Sequence, residues 1–217
     1  MARSKEFRKA DYFATPNCFG KEGTDKKGKW KAHFGNDHPM SLELGCGRAD
    51  LSLAFAARFP ERNFLGIDLK PARLWKPAKL MQEGGVTNIA FIYMHLLEIG
   101  DFLAENEADE IWITFPDPFP KLRHAKHRLI NPPFLQLYRS ILKKGGKVHF
   151  KTDNLDLFHY ALQIFVREKN ITFSEISFDL HNDAIYNEVI GTKTEYECKF
   201  MAEGIPIKYM CFSFNDK

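Results

Sequence analysis

The alternation of short apolar runs with helical segments predicts an α/β fold, a mostly parallel sheet with helices on both faces. Three observations carry this expectation. Apolar, β-branched runs recur at Met40–Leu44, Asn63–Leu69, Asn88–Met94, Asp109–Phe115 and Lys147–Lys151. Segments of helical spacing separate them, two of them closed by Gly84-Gly85 and Gly145-Gly146. The chain also lacks internal repeats and any linker long enough to separate two domains.

The elements follow in order. Residues 1–38 carry lysine, glycine, asparagine and scattered aromatics without sustained periodicity, and read as a basic, partly flexible arm. Residues 39–217 read as one folded domain. Met40–Leu44 is a buried strand that runs into Gly45-Cys46-Gly47-Arg48-Ala49-Asp50, and Leu51, Ala54, Phe55 and Arg58 then fall at helical spacing. Strand, glycine-rich turn and helix open a nucleotide-binding βαβ unit. A second strand ends at Asp68, a helix covers Pro71 to Glu83, a third strand ends near Met94, and a helix spans Leu97 to Asn106. Asn131-Pro132-Pro133 starts another helix, with proline in its first turn. An amphipathic helix carries Leu155, Phe158, Ala161, Leu162, Phe165 and Val166 on one stripe. Ile171–His181 and Ile205–Phe214 read as the last two strands.

The most distinctive stretch follows the fourth strand: Phe115-Pro116-Asp117-Pro118-Phe119-Pro120-Lys121. Three alternating prolines fix φ, remove three N–H donors and push each preceding residue out of the helical region. The segment is a rigid loop at a strand end that holds Asp117 in one place. A basic cluster, Lys121 to Arg128, continues from it. The net charge is only +3, but Pro118 to Thr152 holds nine Lys or Arg and no acid. That local excess implies a phosphate-bearing partner. The four cysteines form no C-x-x-C pair, and no apolar run approaches the roughly 20 residues that span a bilayer. Neither a metal site nor a membrane association is expected, and a cytoplasmic protein with reduced thiols is. Monomer and homodimer both stay open.

The turn discriminates between nucleotides. A dinucleotide fingerprint wants a third glycine where Asp50 stands, and Asp50 would repel a pyrophosphate. Glu43, two residues before the first glycine, suits a ligand that carries an ammonium and a sulfonium. Asp68, at the next strand end, suits ribose hydroxyls. E-x-G-x-G with that acid favours S-adenosyl-L-methionine over NAD.

With these residues in view, the chain resembles the bacterial tRNA (guanine-N7)-methyltransferases, a branch of the Rossmann-like class I methyltransferases, from Glu43 to about Phe214. Its 115–121 stretch, with Arg123-His124 and Lys126-His127-Arg128, is similar to the family's F-P-D-P-W-P-K…R-H…K-R-R signature. Thr152-Asp153 and Thr194-Glu195-Tyr196-Glu197 resemble two further family segments. The resemblance implies a seven-stranded sheet and methyl transfer from S-adenosyl-L-methionine to N7 of a guanine in the variable loop of tRNA. It implies cofactor contacts at Glu43, Gly45, Gly47, Asp68, His95 and Asp117, with Asp117 catalytic. It implies guanosine contacts at Lys121, Asp153, Thr194, Glu195, Tyr196 and Glu197, while the acid-free basic run places Lys121, Arg123, Lys126 and Arg128 as the cations expected to grip the tRNA backbone. The chain departs from the pattern at Phe119 for tryptophan, Ala49 for the third glycine, Asp68 for glutamate, and His95 for an acid. Two other readings compete: methylation of another RNA base, and a non-catalytic RNA-binding module. Asn131-Pro132-Pro133-Phe134 matches the letters of an exocyclic-amine methyltransferase motif, but sits about sixteen residues past its expected strand.

Overall fold

A computed structural model describes residues 4–168 and 170–215. Eight strands form one sheet: β1 (Cys18–Phe19), β2 (Met40–Leu44), β3 (Asn63–Asp68), β4 (Ile89–Tyr93), β5 (Ala108–Thr114), β6 (Leu142–Thr152), β7 (Ile171–Ser177) and β8 (Lys208–Phe214). Their spatial order is β1-β4-β3-β2-β5-β6-β8-β7. The first six are parallel; β8 runs antiparallel between β6 and β7. The helices are α1 (Lys5–Phe13), α2 (Trp30–Phe34), α3 (Asp50–Arg58), α4 (Pro71–Glu83), α5 (Ile99–Phe102), α6 (Pro132–Ile141), α7 (Leu155–Arg167) and α8 (Glu195–Ala202). Two apolar clusters form the core. One gathers Leu42, Ile67, Ile111, Phe134, Phe158 and Phe212; the other gathers Phe55, Leu74, Phe91, Trp112, Ile207 and Tyr209. This is the doubly wound architecture expected, and the strands from β2 to β5 are buried runs because helices cover both faces.

The topology places the site. β2 lies between β3 and β5, so chain connections diverge at the β2/β5 seam. Such a switch point leaves a crevice outside the carboxyl ends of the strands. The glycine turn leaves β2 and the proline loop leaves β5, side by side at that seam.

The strand count is eight rather than seven. β1 is the addition, a two-residue strand paired to β4 within residues 4–38, the described part of the stretch 1–38 that the sequence reads as an arm. Here that stretch covers one edge of the sheet. Tyr12 and Trp30 are fully buried, and the Trp30 indole donates to the Phe102 carbonyl at 2.9 Å. Asp11 accepts from the Trp75 indole at 2.6 Å, which docks α1 on α4. Three other elements differ in extent. The expected 97–106 helix divides into a 3-10 turn (Leu96–Glu98) and the short α5. β6 starts at Leu142, through the glycine pair, with an irregular register against β5. The expected strand after Ile171 ends at Ser177, because Leu180 turns to pair its N–H with the Ile207 carbonyl.

A polar row crosses the second core face. His149 stacks flat on Trp112 at 4.0 Å between centroids and bonds to the Tyr209 hydroxyl at 2.8 Å. Its Nε2 is 3.0 Å from Glu110, a charge contact out of hydrogen-bond alignment. Burial opposes the charge on both groups. For Glu110, its contact with His149 and the Arg62 guanidinium overcome burial and hold the carboxyl down to about 2. For His149, burial is overcome by Cys211 and Glu110, which raise the imidazole to about 9.

Candidate active site

The turn after β2 is built by backbone conformation. Gly45 and Gly47 hold φ of 70° and 56°, and Ala49 follows at 52°. The left-handed region favours glycine, so Ala49 carries a modest strain. The Gly45 and Cys46 N–H groups donate to the Ile67 carbonyl at 2.8 and 3.0 Å, which pins the turn to β3. A Cβ added to Gly47 would meet nothing within 4 Å, so this backbone faces open space that a ligand can enter.

Two acids lie under the turn. Glu43 is buried at the end of β2. Its Oε2 accepts from the Ser52 N–H at 3.0 Å and hydroxyl at 2.6 Å, and its Oε1 from the Thr114 hydroxyl at 3.0 Å. Burial raises the Glu43 carboxyl to about 7, against the hydrogen bonds from Ser52 and Thr114. A neighbouring cation would favour its charged form. Asp68 accepts from the Gly47 N–H and the Lys70 N–H, each at 2.9 Å, one per oxygen. Each oxygen keeps a second lone pair. His95 stands exposed at the end of β4, and its Nδ1 accepts from the Leu97 N–H at 3.2 Å. Leu69 and Leu97, each 53% exposed, flank these strand ends as apolar surfaces that the sequence reading missed.

These residues fit an adenosyl sulfonium. The acids match a cation, the exposed leucines match a purine face, and the open Gly47 backbone lets a ligand approach. The basic residue of the turn, Arg48, is engaged by Glu195, so a pyrophosphate placed here would meet acids rather than a free cation.

The proline loop is exposed and braced. Asp117 is exposed and, with Pro118, Phe119, Pro120, Lys121 and His124, lines an open pocket of about 320 Å³. Phe115 and Phe119, each before a proline, hold φ of 48° and 44°. Proline excludes the helical region for them, and tertiary contacts retain the strained alternative. The Phe115 N–H donates to the Lys151 carbonyl at 2.9 Å, and its ring packs on Phe200 at 5.8 Å. Arg128 donates to the Pro118 carbonyl at 3.0 Å through Nε and to the Phe119 carbonyl at 2.9 Å through a terminal nitrogen. Its guanidinium also lies 4.3 Å over the Tyr160 ring. Arg128, expected among the cations that grip phosphate, thus faces its own loop. Lys121, Arg123 and Lys126 are exposed.

The third part is α8. Thr194 caps it, accepting from the Glu197 N–H at 3.1 Å. Glu195 pairs with Arg48 and donates its N–H to Asp50 at 3.0 Å, so α8 rests on the glycine turn. Tyr196 is 60% exposed. Glu197, expected to face substrate, is fully buried and accepts from Lys151 and His181 instead. Asp153 is half-buried just past the end of β6, and its carbonyl accepts from Lys208 at 2.9 Å. Asn131-Pro132-Pro133-Phe134 starts α6; Asn131 accepts from the Tyr160 hydroxyl at 2.8 Å and Phe134 is buried. That motif is therefore spent on packing.

Comparison with known proteins follows the same lines. A family model described as a putative methyltransferase matches residues 37–210. A tRNA (guanine-N(7)-)-methyltransferase of Cytophaga hutchinsonii is 41% identical, over 99% of this chain and 99% of its own. One of Christiangramia forsetii is 41% identical, over 98% and 96%. Among solved structures, the 16S rRNA methyltransferase KamB superposes with a TM-score of 0.66 at 13% identity, over 86% of this chain and 93% of its own. A mutant 16S rRNA (adenine(1408)-N(1))-methyltransferase from Catenulisporales acidiphilia, solved with its cosubstrate SAM, gives 0.63 at 13% identity, over 86% and 90%. At that identity the structural likeness speaks for the fold alone.

Proposed function

The chain belongs to the tRNA (guanine-N7)-methyltransferase family, and on that premise we propose that it methylates N7 of a guanine in the variable loop of tRNA, with S-adenosyl-L-methionine as donor. One observation carries this reading. The strand end that presents Asp117 is hydrogen-bonded, through Thr114, to the Glu43 carboxylate under the glycine turn. That bond and the β2–β5 pairing tie the glycine turn to the start of the proline loop, which supports reading the two as donor and acceptor halves of one site.

When bound, S-adenosyl-L-methionine supplies an activated methyl group. The protein supplies alignment, which contributes on the order of 7–11 kcal/mol. Guanine N7 already offers an in-plane lone pair, so no residue has to remove a proton before attack. Asp117 accepts from guanine N1–H and the exocyclic amine, and its charge favours the positive purine that forms. Adenine has no donor at N1 and leaves that carboxylate unpaired. Asp68 and the glycine backbone would hold the donor, the buried Glu43 would supply negative charge beneath the turn, and Leu69, Leu97 and His95 would offer the surface for its adenine. Lys121, Arg123 and Lys126 grip the RNA backbone, which fixes register without reading sequence. Thr194, Glu195, Tyr196 and Asp153 form the far wall of the guanosine site. Arg128 and Glu197 serve the same site by holding the proline loop and α8 in place.

The test is direct. Unmodified tRNA is incubated with the protein and isotope-labelled S-adenosyl-L-methionine, digested, and its nucleosides identified by mass. Labelled 7-methylguanosine is expected; label in methyladenosine, or none, overturns the reading.

A further inference from the structure

The segment between β7 and β8 carries the T-x-x-E stretch and is held by one buried ionic cluster. Lys151, at the end of β6, has a fully buried side chain. Its ammonium donates to both Glu197 oxygens at 3.0 Å and to the Thr192 carbonyl at 3.2 Å. All three of its protons are thereby used. His181 reaches the same Glu197 carboxylate, Nε2 to Oε1 at 2.9 Å. Burial lowers the Lys151 pKa, and the Glu197 charge pulls the other way. Three points of the segment, at 181, 192 and 197, converge on this one ammonium and its partner.

An apolar pair of the same volume would fill this space without desolvating two charges, so filling space does not explain the cluster. What the charges add is direction. The carboxylate fixes the rotation of α8, and the Thr192 carbonyl fixes its approach. That rotation sets Glu195 against Arg48 and Asp50 on the glycine turn and Phe200 against Phe115 at the start of the proline loop. α8 therefore spans both halves of the site, and Lys151 decides where it sits.

We propose that Lys151 is a positioning residue: with His181 it seats the start of α8 so that Thr194 to Tyr196 stand beside the Asp117 loop, and the RNA substrate, not the methyl donor, depends on that placement. The proposal rests on the reading that this wall meets guanosine. The backbone of the glycine turn is anchored independently of α8: the Gly45 and Cys46 N–H groups bond to β3 and the Gly47 N–H to Asp68, whereas α8 meets the turn through the side chains of Arg48 and Asp50.

The experiment uses the full chain with Lys151→Met, the paired variant Lys151→Met/Glu197→Leu, which leaves no unpaired buried charge, and the milder His181→Gln. Each is assayed at a temperature where circular dichroism shows it folded. KM for tRNA should rise at least tenfold in either Lys151 variant and about threefold in His181→Gln. The Kd for S-adenosyl-L-methionine by calorimetry should stay within twofold of wild type. Amides 183–196 should exchange faster with deuterium in all three. A folded variant of Lys151 with wild-type KM and unchanged exchange overturns the proposal, as does equal weakening of donor and tRNA. Should the Lys151 variants not fold, His181→Gln decides by the same criteria. Wild-type protein that methylates no tRNA overturns the functional reading instead, and the exchange pattern then judges the seating of α8 by itself.

Discussion

Replacing Arg128 with alanine separates bracing from RNA binding. The side chain makes two charged hydrogen bonds to the Pro118 and Phe119 carbonyls and stacks on Tyr160. Charged hydrogen bonds contribute about 1.5–3 kcal/mol each, and an exposed cation–π contact about 0.5–1 kcal/mol. Against them stands Phe119 at φ 44°, which costs roughly 1–3 kcal/mol. Because Arg128 is half-buried, the lower end of each range applies. Its loss should therefore release about 2–3 kcal/mol of loop order, and the left-handed Phe119 would relax. At about 1.36 kcal/mol per tenfold, that is roughly a 30- to 150-fold loss in single-turnover methyl transfer. Arg128→Lys should fall between, since one ammonium cannot span both carbonyls in the same plane. The complementary assay is tRNA binding by filter retention over a salt series. A phosphate contact contributes about 0.7–0.9 to the slope of log K against log salt. The bracing role predicts an unchanged slope in Arg128→Ala. A slope reduced by that amount, with methyl transfer retained, would refute it.

Three further outcomes are expected. Asp117→Asn keeps the shape and removes the charge, so kcat/KM should fall at least tenfold for a charged hydrogen bond of about 1.5–3 kcal/mol, with donor Kd unchanged by calorimetry; wild-type turnover would defeat the assignment. Alanine at Lys121, Arg123 and Lys126 together should weaken tRNA binding and flatten the salt slope by about 2, whereas unchanged affinity at every salt concentration would remove these residues from the interface. Glu43 has a folded pKa of about 7 against 4.5 unfolded, so the folded state holds the extra proton and stability falls as pH rises between those values. The difference reaches about 3 kcal/mol at pH 8. Glu43→Gln should therefore show a thermal midpoint that rises relative to wild type from pH 5 to 8, and a midpoint that falls relative to wild type over that range would contradict the burial argument.

The parts of the fold that were legible in the sequence are those with local signals. β2 to β5 are continuous apolar runs, and the glycine turn and proline loop announce themselves by residues whose φ is constrained. β1 was not legible, because two residues carry no period and its pairing to β4 lies far along the chain. The packed state of residues 4–38 was hidden for a related reason: Tyr12 and Trp30 are anchors set in short elements. Within the proposed site, Asp117 and the E-x-G-x-G acids were singled out by residue type and position, and the structure brings their strand ends to one seam. The partners of Glu197 and Arg128 were not, since a carboxylate or guanidinium reads alike whether it faces solvent or its own backbone. Lys151 offered one faint signal, a lysine that follows Phe150 at the end of the strand run, with an acid in the T-x-x-E stretch to receive it. Leu69 and Leu97 directly follow Asp68 and the His95-Leu96 pair, and only their exposure marks them as more than core.

The central claim is that the protein holds a guanine by its donor edge and delivers carbon to the opposite nitrogen. The most direct measurement uses a tRNA transcript carrying 7-deazaguanosine in the variable loop, which keeps N1–H and the exocyclic amine and lacks only N7. The account predicts binding equal to that of unmodified tRNA and no transfer of label. Label still transferred to the substituted transcript would contradict it.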